Sequence, residues 1–380
     1  FNLLVEGIRQ VESALGAGKV RQISQGELIN RENLSKSLLS ARKLEIGEVI
    51  TAEDVVVKSP GQGLSPQFME RLIGKVVTRP MKKEDFFFHT DLDESRIQPR
   101  DYNFRRPWGI PVRHHDYKLF SSLVTPDIWE IHLSYSDMDL KNGTYFKTNT
   151  FSELVVHAPE LFANSKLMDL AAVDVVDREY SIFETQKVID QTRNLMTFFP
   201  KTKRCLIVAN IGGFSLDGPL NSEQIAERYE IFADSLLKLD TTDVELIPQT
   251  MAPFPWHFGG QRYQNLFLHA DDIVEKCRDL NLRICLDVSH SKLACNYFKT
   301  DYAEFITKVA PYTAHIHMGD AKGVNGEGLS LGDGEIDLPQ LCSLLNHHCS
   351  TASFIPEIWQ GHKNEGEGFW KALVELEKWL

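Results

Sequence analysis

The sequence predicts an α/β protein: a (β/α)8 TIM barrel preceded by a small, β-rich N-terminal module. Three observations carry this reading. Between residues 107 and 380 an apolar, strand-like run followed by a longer segment of helical period recurs eight times, and eight such units in about 270 residues match the length of a β/α barrel. Polar residues with metal or proton chemistry recur at the C-terminal ends of these runs, the face on which such barrels work. Ahead of them, Leu28 to Asp93 breaks into short apolar stretches separated by GE, PGQG and IGK turns, the pattern of a compact β module with little helix.

Bulk properties agree. A chain of 380 residues exceeds what one core fills. The formal charge of −12 repels phosphate backbones and anionic lipid surfaces, so nucleic acid and membrane are not expected partners. No apolar run reaches the roughly 18–20 residues of a membrane span. Six cysteines (Cys205, Cys277, Cys285, Cys295, Cys342, Cys349) show no CxxC or disulfide spacing, which points to reduced thiols in a cytoplasmic protein.

Four segments are expected in order. Residues 1–26 read as a remnant helix, with VEGIRQVESALGAGK (Val5 to Lys19) amphipathic and ended by Gly; with Phe rather than Met at position 1, a fragment of a longer polypeptide is expected. Residues 27–93 form the β-rich module, and the polar DLDESRIQPRDYNFRRP marks a linker over 94–106. Residues 107–380 form the barrel. Its strand candidates are Trp108 to Val112, Ile128 to Leu133, Leu154 to His157, Cys205 to Ile211, Val244 to Gln249, Ile284 to Val288, Ala314 to Met318 and Ser353 to Ile358. Stretches such as SEQIAERYEIFADSLLKL between them carry apolar residues at the i, i+3, i+4 spacing of a one-sided helix. A doubly wound open sheet is the alternative, but WGIPVRHH lacks the Gly-rich turn it would carry.

Four polar residues lie at four successive strand ends: Gln249 in IPQTM, Asp287 in LDVSH, His317 in HIHMGD and Glu357 in IPEIW. Oxygen donors with one imidazole suit one divalent ion such as Mn²⁺, Mg²⁺, Co²⁺ or Zn²⁺. Taken singly, each is equally readable as a rim residue with its own hydrogen bonds. His290, three past Asp287, faces the same pocket. His315 and His317 alternate on one strand and share a face, but only His317 is near enough to the mouth. His157 reads either as a packed histidine or as a substrate ligand. The loop PFPWHFGGQR offers Trp256 and His257 as a lid over substrate or a mere cap, and KGVNGEGLSLGDGEID offers Lys322 and Glu327 over a polar ligand or a plain surface loop.

VVHAPE, LDVSHS, HIHMGDAKG followed by LSLGDGEID, and IPEI together resemble the xylose-isomerase-like barrel superfamily over about residues 107–380. That resemblance implies a single-metal site built from Gln249, Asp287, His317 and Glu357, where the family has Glu, Asp, His and Glu, with His290 at the family's substrate-binding histidine. It implies a sugar or sugar-phosphate substrate and proton transfer by two glutamates. Gln249 departs from the pattern: an amide offers an oxygen to a metal but takes no proton at neutral pH. Glu357 is then the remaining base, which leaves one-base isomerisation, a lyase reaction or lost catalysis open. The AP endonucleases of the superfamily use extra His and Asp ligands after strand seven, where Gly326 and Gly328 stand here.

RQVESALG, then SLLSARKLEIGEVITAEDVVVKSPGQGLSP and LIGKVV, resemble the end of the catalytic barrel and the C-terminal antifreeze-like (SAF) domain of sialic acid (N-acetylneuraminate) synthases. This implies a link to nonulosonate sugar synthesis and a homodimer through the SAF domain. The rival expectation is a noncatalytic sugar-binding or assembly module of such a synthase.

Overall fold

The computed structural model describes residues 1–16, 23, 25–92, 96–257 and 260–380, without the side chains of residues 25, 29, 256, 257, 260 and 261. It divides into two compact units, Phe1–Glu94 and Ser95–Leu380.

In the first unit, helices Asn2–Leu15 and Gln25–Leu34 precede an antiparallel pair of strands, Ser37–Ser40 and Val55–Lys58. Single bridges from Leu39 to Phe86, Leu44 to Met81 and Val49 to Val76 complete the β framework. Its core gathers Leu38, Leu44, Ile50, Val55, Leu64, Leu72, Val77, Met81, Phe87 and Leu92. The expected Val5 to Lys19 helix begins earlier and ends at Leu15, and residues 17–22 lie outside the described ones. The Gln25–Leu34 helix corrects the expectation of a module with little helix: QGELINRENL holds no Pro or Val, and its Glu, Leu and Arg are good helix formers.

In the second unit the eight expected strands form a closed parallel barrel: Gly109–Val112, Ile128–His132, Glu153–His157, Cys205–Ala209, Val244–Pro248, Ile284–Asp287, Thr313–Met318 and Ser353–Pro356. Strands one to five form one sheet and six to eight another. Parallel bridges from Gln249 to Cys285 and from Trp108 to Phe354 close the two seams. Strands two, four, five, six and eight end one or two residues earlier than the apolar runs do, because the chain there already turns into the rim loops or, at Val288, into a helix.

Helices Val175–Met196, Ser222–Leu236, Ala270–Asp279, Val288–Phe298, Tyr302–Val309, Leu338–His348 and Lys363–Leu376 pack outside. Strand one is followed only by the single turn Tyr117–Phe120, and between strands two and three the described residues form short 3₁₀ turns. Asp, Asn, Gly and Thr in SDMDLKNGTYFKTNT favour turns over a helix there. The expected linker also differs, since Tyr102 packs edge-on to Trp108 (5.3 Å between ring centroids) and Phe104 to Phe354 (4.9 Å), while Arg106 donates to Asn346 Oδ1 at 2.9 Å. Two aromatics in a polar stretch thus pack beside the seam of strands one and eight, in the same core as Trp108 and Phe354.

Inside the barrel the two-residue period of the strands stacks the inward-facing side chains in successive layers. Ile128, Val155, Val208, Ile247, Cys285, Ala314 and Ile355 make an apolar lower layer. Above it come Glu130, His132, His157, Gln249, Asp287, His315, His317 and Glu357.

Candidate metal and substrate site

Parallel register brings the four predicted strand ends together. Asp287 lies opposite His317, and His317 opposite Ile355, two residues before Glu357, whose N–H donates to Met318 O at 2.8 Å. Gln249 bridges to Cys285, two residues before Asp287. The four side chains therefore stand on neighbouring staves. His317 Nδ1 is 2.6 Å from Glu357 Oε2, 3.2 Å from the Gln249 amide nitrogen and 4.0 Å from Asp287 Oδ2. Gln249 Nε2 donates to Asp287 Oδ2 at 3.0 Å.

The Asp287–His290 spacing has a local cause. Asp287 is the N-cap of helix Val288–Phe298, and its Oδ1 accepts the His290 N–H at 2.8 Å. One carboxylate oxygen thus starts the helix while the other faces the site. The cap also fixes His290, whose Nδ1 lies 3.1 Å from Thr250 O and 3.3 Å from Asp287 Oδ2. His157 Nε2 reaches Gln249 Oε1 at 3.3 Å.

His157, Gln249, Asp287, His290 and Glu357 border a cavity of about 670 Å³ at the barrel mouth, completed by Tyr135, Glu160, Glu327, Trp359 and His362 among others, while His317 is fully buried behind them. Glu327 lies 3.7 Å from His290 Nε2. Lys322 is exposed at the end of the short strand Asp320–Lys322 and is not brought to the cavity. Asp320 beside it turns inward and accepts the N–H groups of Ala321, Gly332, Gly334 and Ile336, so it shapes the loop after strand seven. The backbone of Trp256–His257 pairs with Gly260–Gln261, while both side chains lie outside the described residues.

Charge is concentrated here under burial. Burial works against a charge on His317, but Cys285, Glu357 and Glu130 around it outweigh that and raise its pKa well above the usual imidazole value. Burial likewise opposes a carboxylate at Glu357, yet His317 beside it holds it far below the usual range. Burial pushes Asp287 up. His290 is raised to about 9 because Asp287, Glu327 and Glu357 outweigh its burial. Burial and the neighbouring His132 lower His157.

Can these groups hold a divalent ion? Two clusters among the described residues have the ligand spacing: His157, His317 and Glu357 at the mouth, and Glu130, His315 and His317 beneath it. Two carboxylates, an imidazole and an amide form a donor set that hard and borderline divalent ions take. Rotating the Gln249 amide by half a turn exchanges its nitrogen for its oxygen, so that position serves as hydrogen-bond donor or as ligand. The residues present fit the group.

Sequence reasoning passed over Glu130 and His132. Strand two reads IWEIH, a polar residue at every second position of an otherwise apolar strand, which is the signal that singled out HIHM on strand seven. Glu130 is fully buried among His132, His315 and His317.

A family model described as xylose isomerase-like TIM barrel matches residues 126–377, and a SAF domain model matches residues 35–92. The SAF domain is therefore N-terminal to the barrel in this chain, which corrects the C-terminal placement expected from the synthases. A pseudaminic acid synthase from Campylobacter jejuni is 33% identical over 91 residues, 24% of this chain and 26% of that one. The chain thus spans about a quarter of the length of the curated relatives it matches. Among solved structures, a D-tagatose 3-epimerase-like protein matches with a TM-score of 0.50 at 19% identity, over 72% of this chain and 98% of that one. A D-allulose 3-epimerase from Methylomonas sp. matches with a TM-score of 0.50 at 11% identity, over 74% and 100%. At these identities the likeness is one of fold.

Proposed function

We propose, for a chain that belongs to the xylose isomerase-like TIM barrel family, that the barrel is a metal-dependent isomerase or epimerase of sugars or sugar phosphates. Joined to its SAF domain, it serves nonulosonate sugar biosynthesis in the cytoplasm. The observation that carries the reading is that Asp287, Glu357 and the Gln249 amide, which line a cavity of about 670 Å³, meet the buried His317 Nδ1 just behind its wall. These four hold one divalent ion of the Mn²⁺, Mg²⁺, Co²⁺ or Zn²⁺ kind, which when bound supplies polarisation of a substrate carbonyl.

Glu357 is the base, kept ionised by His317 and facing the cavity. His157 and His290 hold substrate oxygens. Gln249 takes no proton, so a single carboxylate removes a proton from one carbon and returns it, which suits one-base isomerisation better than two-base epimerisation. The names of the Campylobacter synthases and of the epimerases of like fold support the sugar class. The six cysteines, all unpaired and buried, support a reducing compartment. A homodimer through the SAF domain is supported by Ile46, Val49, Val57 and Val76, which are exposed on that unit.

The test is metal content by elemental analysis together with ²H incorporation from D₂O into a panel of ketoses and their phosphates. The expected result is one divalent ion per chain and exchange that is lost in Glu357→Gln. A chain that binds no ion and is thermally indifferent to Mn²⁺ and EDTA overturns the reading. One observation favours the rival, a noncatalytic sugar-binding or assembly module: Gln249 turns its amide nitrogen, not its oxygen, toward Asp287 and His317. Sugar binding without exchange, in both the wild type and Gln249→Glu, decides for that rival.

A further inference from the structure

We infer that Glu130 is the positioning residue of this site: from strand two it aims the His317 imidazole so that Nδ1 faces the cation position, and it sets the neighbouring cavity wall through His132. The inference rests on the metal-binding reading of His317.

The geometry is specific. Glu130 Oε2 lies 2.6 Å from His315 Nε2 and 3.2 Å from His317 Nε2, within hydrogen-bond geometry of both, and Oε1 lies 2.7 Å from His132 Nε2. Among the described residues no Lys or Arg pairs with it, and it has no exposed surface. An ionised carboxylate in a barrel core without a permanent cation is expensive, and an aliphatic side chain fills the same place at less cost. What the carboxylate adds is direction. An imidazole whose Nε2–H points at a carboxylate presents the lone pair of Nδ1 on its other edge, and such a partner also raises the basicity of a metal ligand. For His317 that other edge is the one facing Glu357 and the Gln249 amide.

The two remaining histidines contact Glu130 itself. His315 Nδ1 sits 2.7 Å from Ser353 Oγ, so this ring is tied at both nitrogens and anchors the carboxylate from below. His132 lies against its other oxygen at 2.7 Å and borders the cavity, its ring stacked on His157 at 4.6 Å between centroids. A displacement of Glu130 is therefore transmitted to His317 and to the His132–His157 wall together.

The experiment compares wild type with Glu130→Gln and, as a milder change, His315→Asn. Co²⁺ and Mn²⁺ affinity is measured by chelator competition, and downfield imidazole N–H protons are recorded by NMR in metal-free protein. Expected for Glu130→Gln are a retained circular dichroism spectrum, a 10–100-fold loss of ion affinity and disappearance or large upfield shift of the His315 and His317 Nε2–H resonances. His315→Asn shifts affinity in the same direction by less, and it supplies the test if the first variant does not fold. Unchanged affinity and unchanged N–H resonances in both variants overturn the inference. So does a wild type that binds two ions where Glu130→Gln binds one, since the buried cluster is then a metal site of its own. If wild type binds no ion while the resonances respond as expected, the metal reading falls and the positioning of His317 by Glu130 stands.

Discussion

Replacing Gln249 by Glu puts a carboxylate where the structure has an amide donor. In the metal-free protein this brings two carboxylates to the 3.0 Å that now separate Gln249 Nε2 from Asp287 Oδ2. At an effective dielectric constant of about 20, two unit charges at that distance repel by about 5 kcal/mol, and a hydrogen bond to a charged group worth about 1.5–3 kcal/mol is lost as well. Uptake of one proton by the pair relieves most of the repulsion, as in other close carboxylate pairs, so the expected net loss is about 2–4 kcal/mol. For a domain of this size that is a fall in Tm of about 5–10 °C in EDTA. A divalent ion reverses the sign, because the new oxygen is a ligand, and saturation at 100 times Kd returns about 2.7 kcal/mol. Differential scanning calorimetry in EDTA and in Mn²⁺ or Co²⁺ reads both effects. If Gln249→Glu melts like wild type in EDTA and gains no more from the ion than wild type does, the placement of Gln249 beside the cation position is wrong.

Three further outcomes follow from particular contacts. His290, raised to about 9 from an ordinary 6.5, contributes stability that is complete below pH 6.5 and is lost as the pH rises through 9; its share is at most about 3 kcal/mol, read by urea denaturation of metal-free protein at pH 6 and pH 9.5, and His290→Asn reduces the dependence by that share while the part due to His317 stays. Asp320→Ala leaves four backbone N–H groups of the loop after strand seven without their acceptor, at a cost of roughly 3–5 kcal/mol, and limited proteolysis should then cut between residues 322 and 336 where wild type resists. Phe354→Ala opens the seam where strand eight meets strand one and Phe104, and chemical denaturation should show a loss of about 3–5 kcal/mol.

Much of the barrel was legible because its strands are short apolar runs ended by polar residues, and each such end marks the mouth. Asp287, His317 and Glu357 were found this way, and His290 through its spacing from a capping Asp. Glu130 and His132 were not, although IWEIH carries the same alternation as HIHM, because the weight fell on the last residue of each strand rather than on the one a layer deeper. Lys322 was misplaced for a different reason: its strand turns it outward, and the loop it begins is organised by Asp320.

What the sequence determined by itself was local and periodic: eight strands, the helices flanking most of them, a separate β module, and which strand ends bear chemistry. Those features depend on neighbours within a few residues, so they can be read along one dimension. Closure of the cylinder, the stagger that sets Asp287 opposite His317, the turn of the Gln249 amide toward Asp287, and the gathering of three imidazoles on Glu130 were decided only by tertiary structure. They depend on inter-strand register and on burial, and the pairing that brings Glu130 to His315 spans 185 positions of chain.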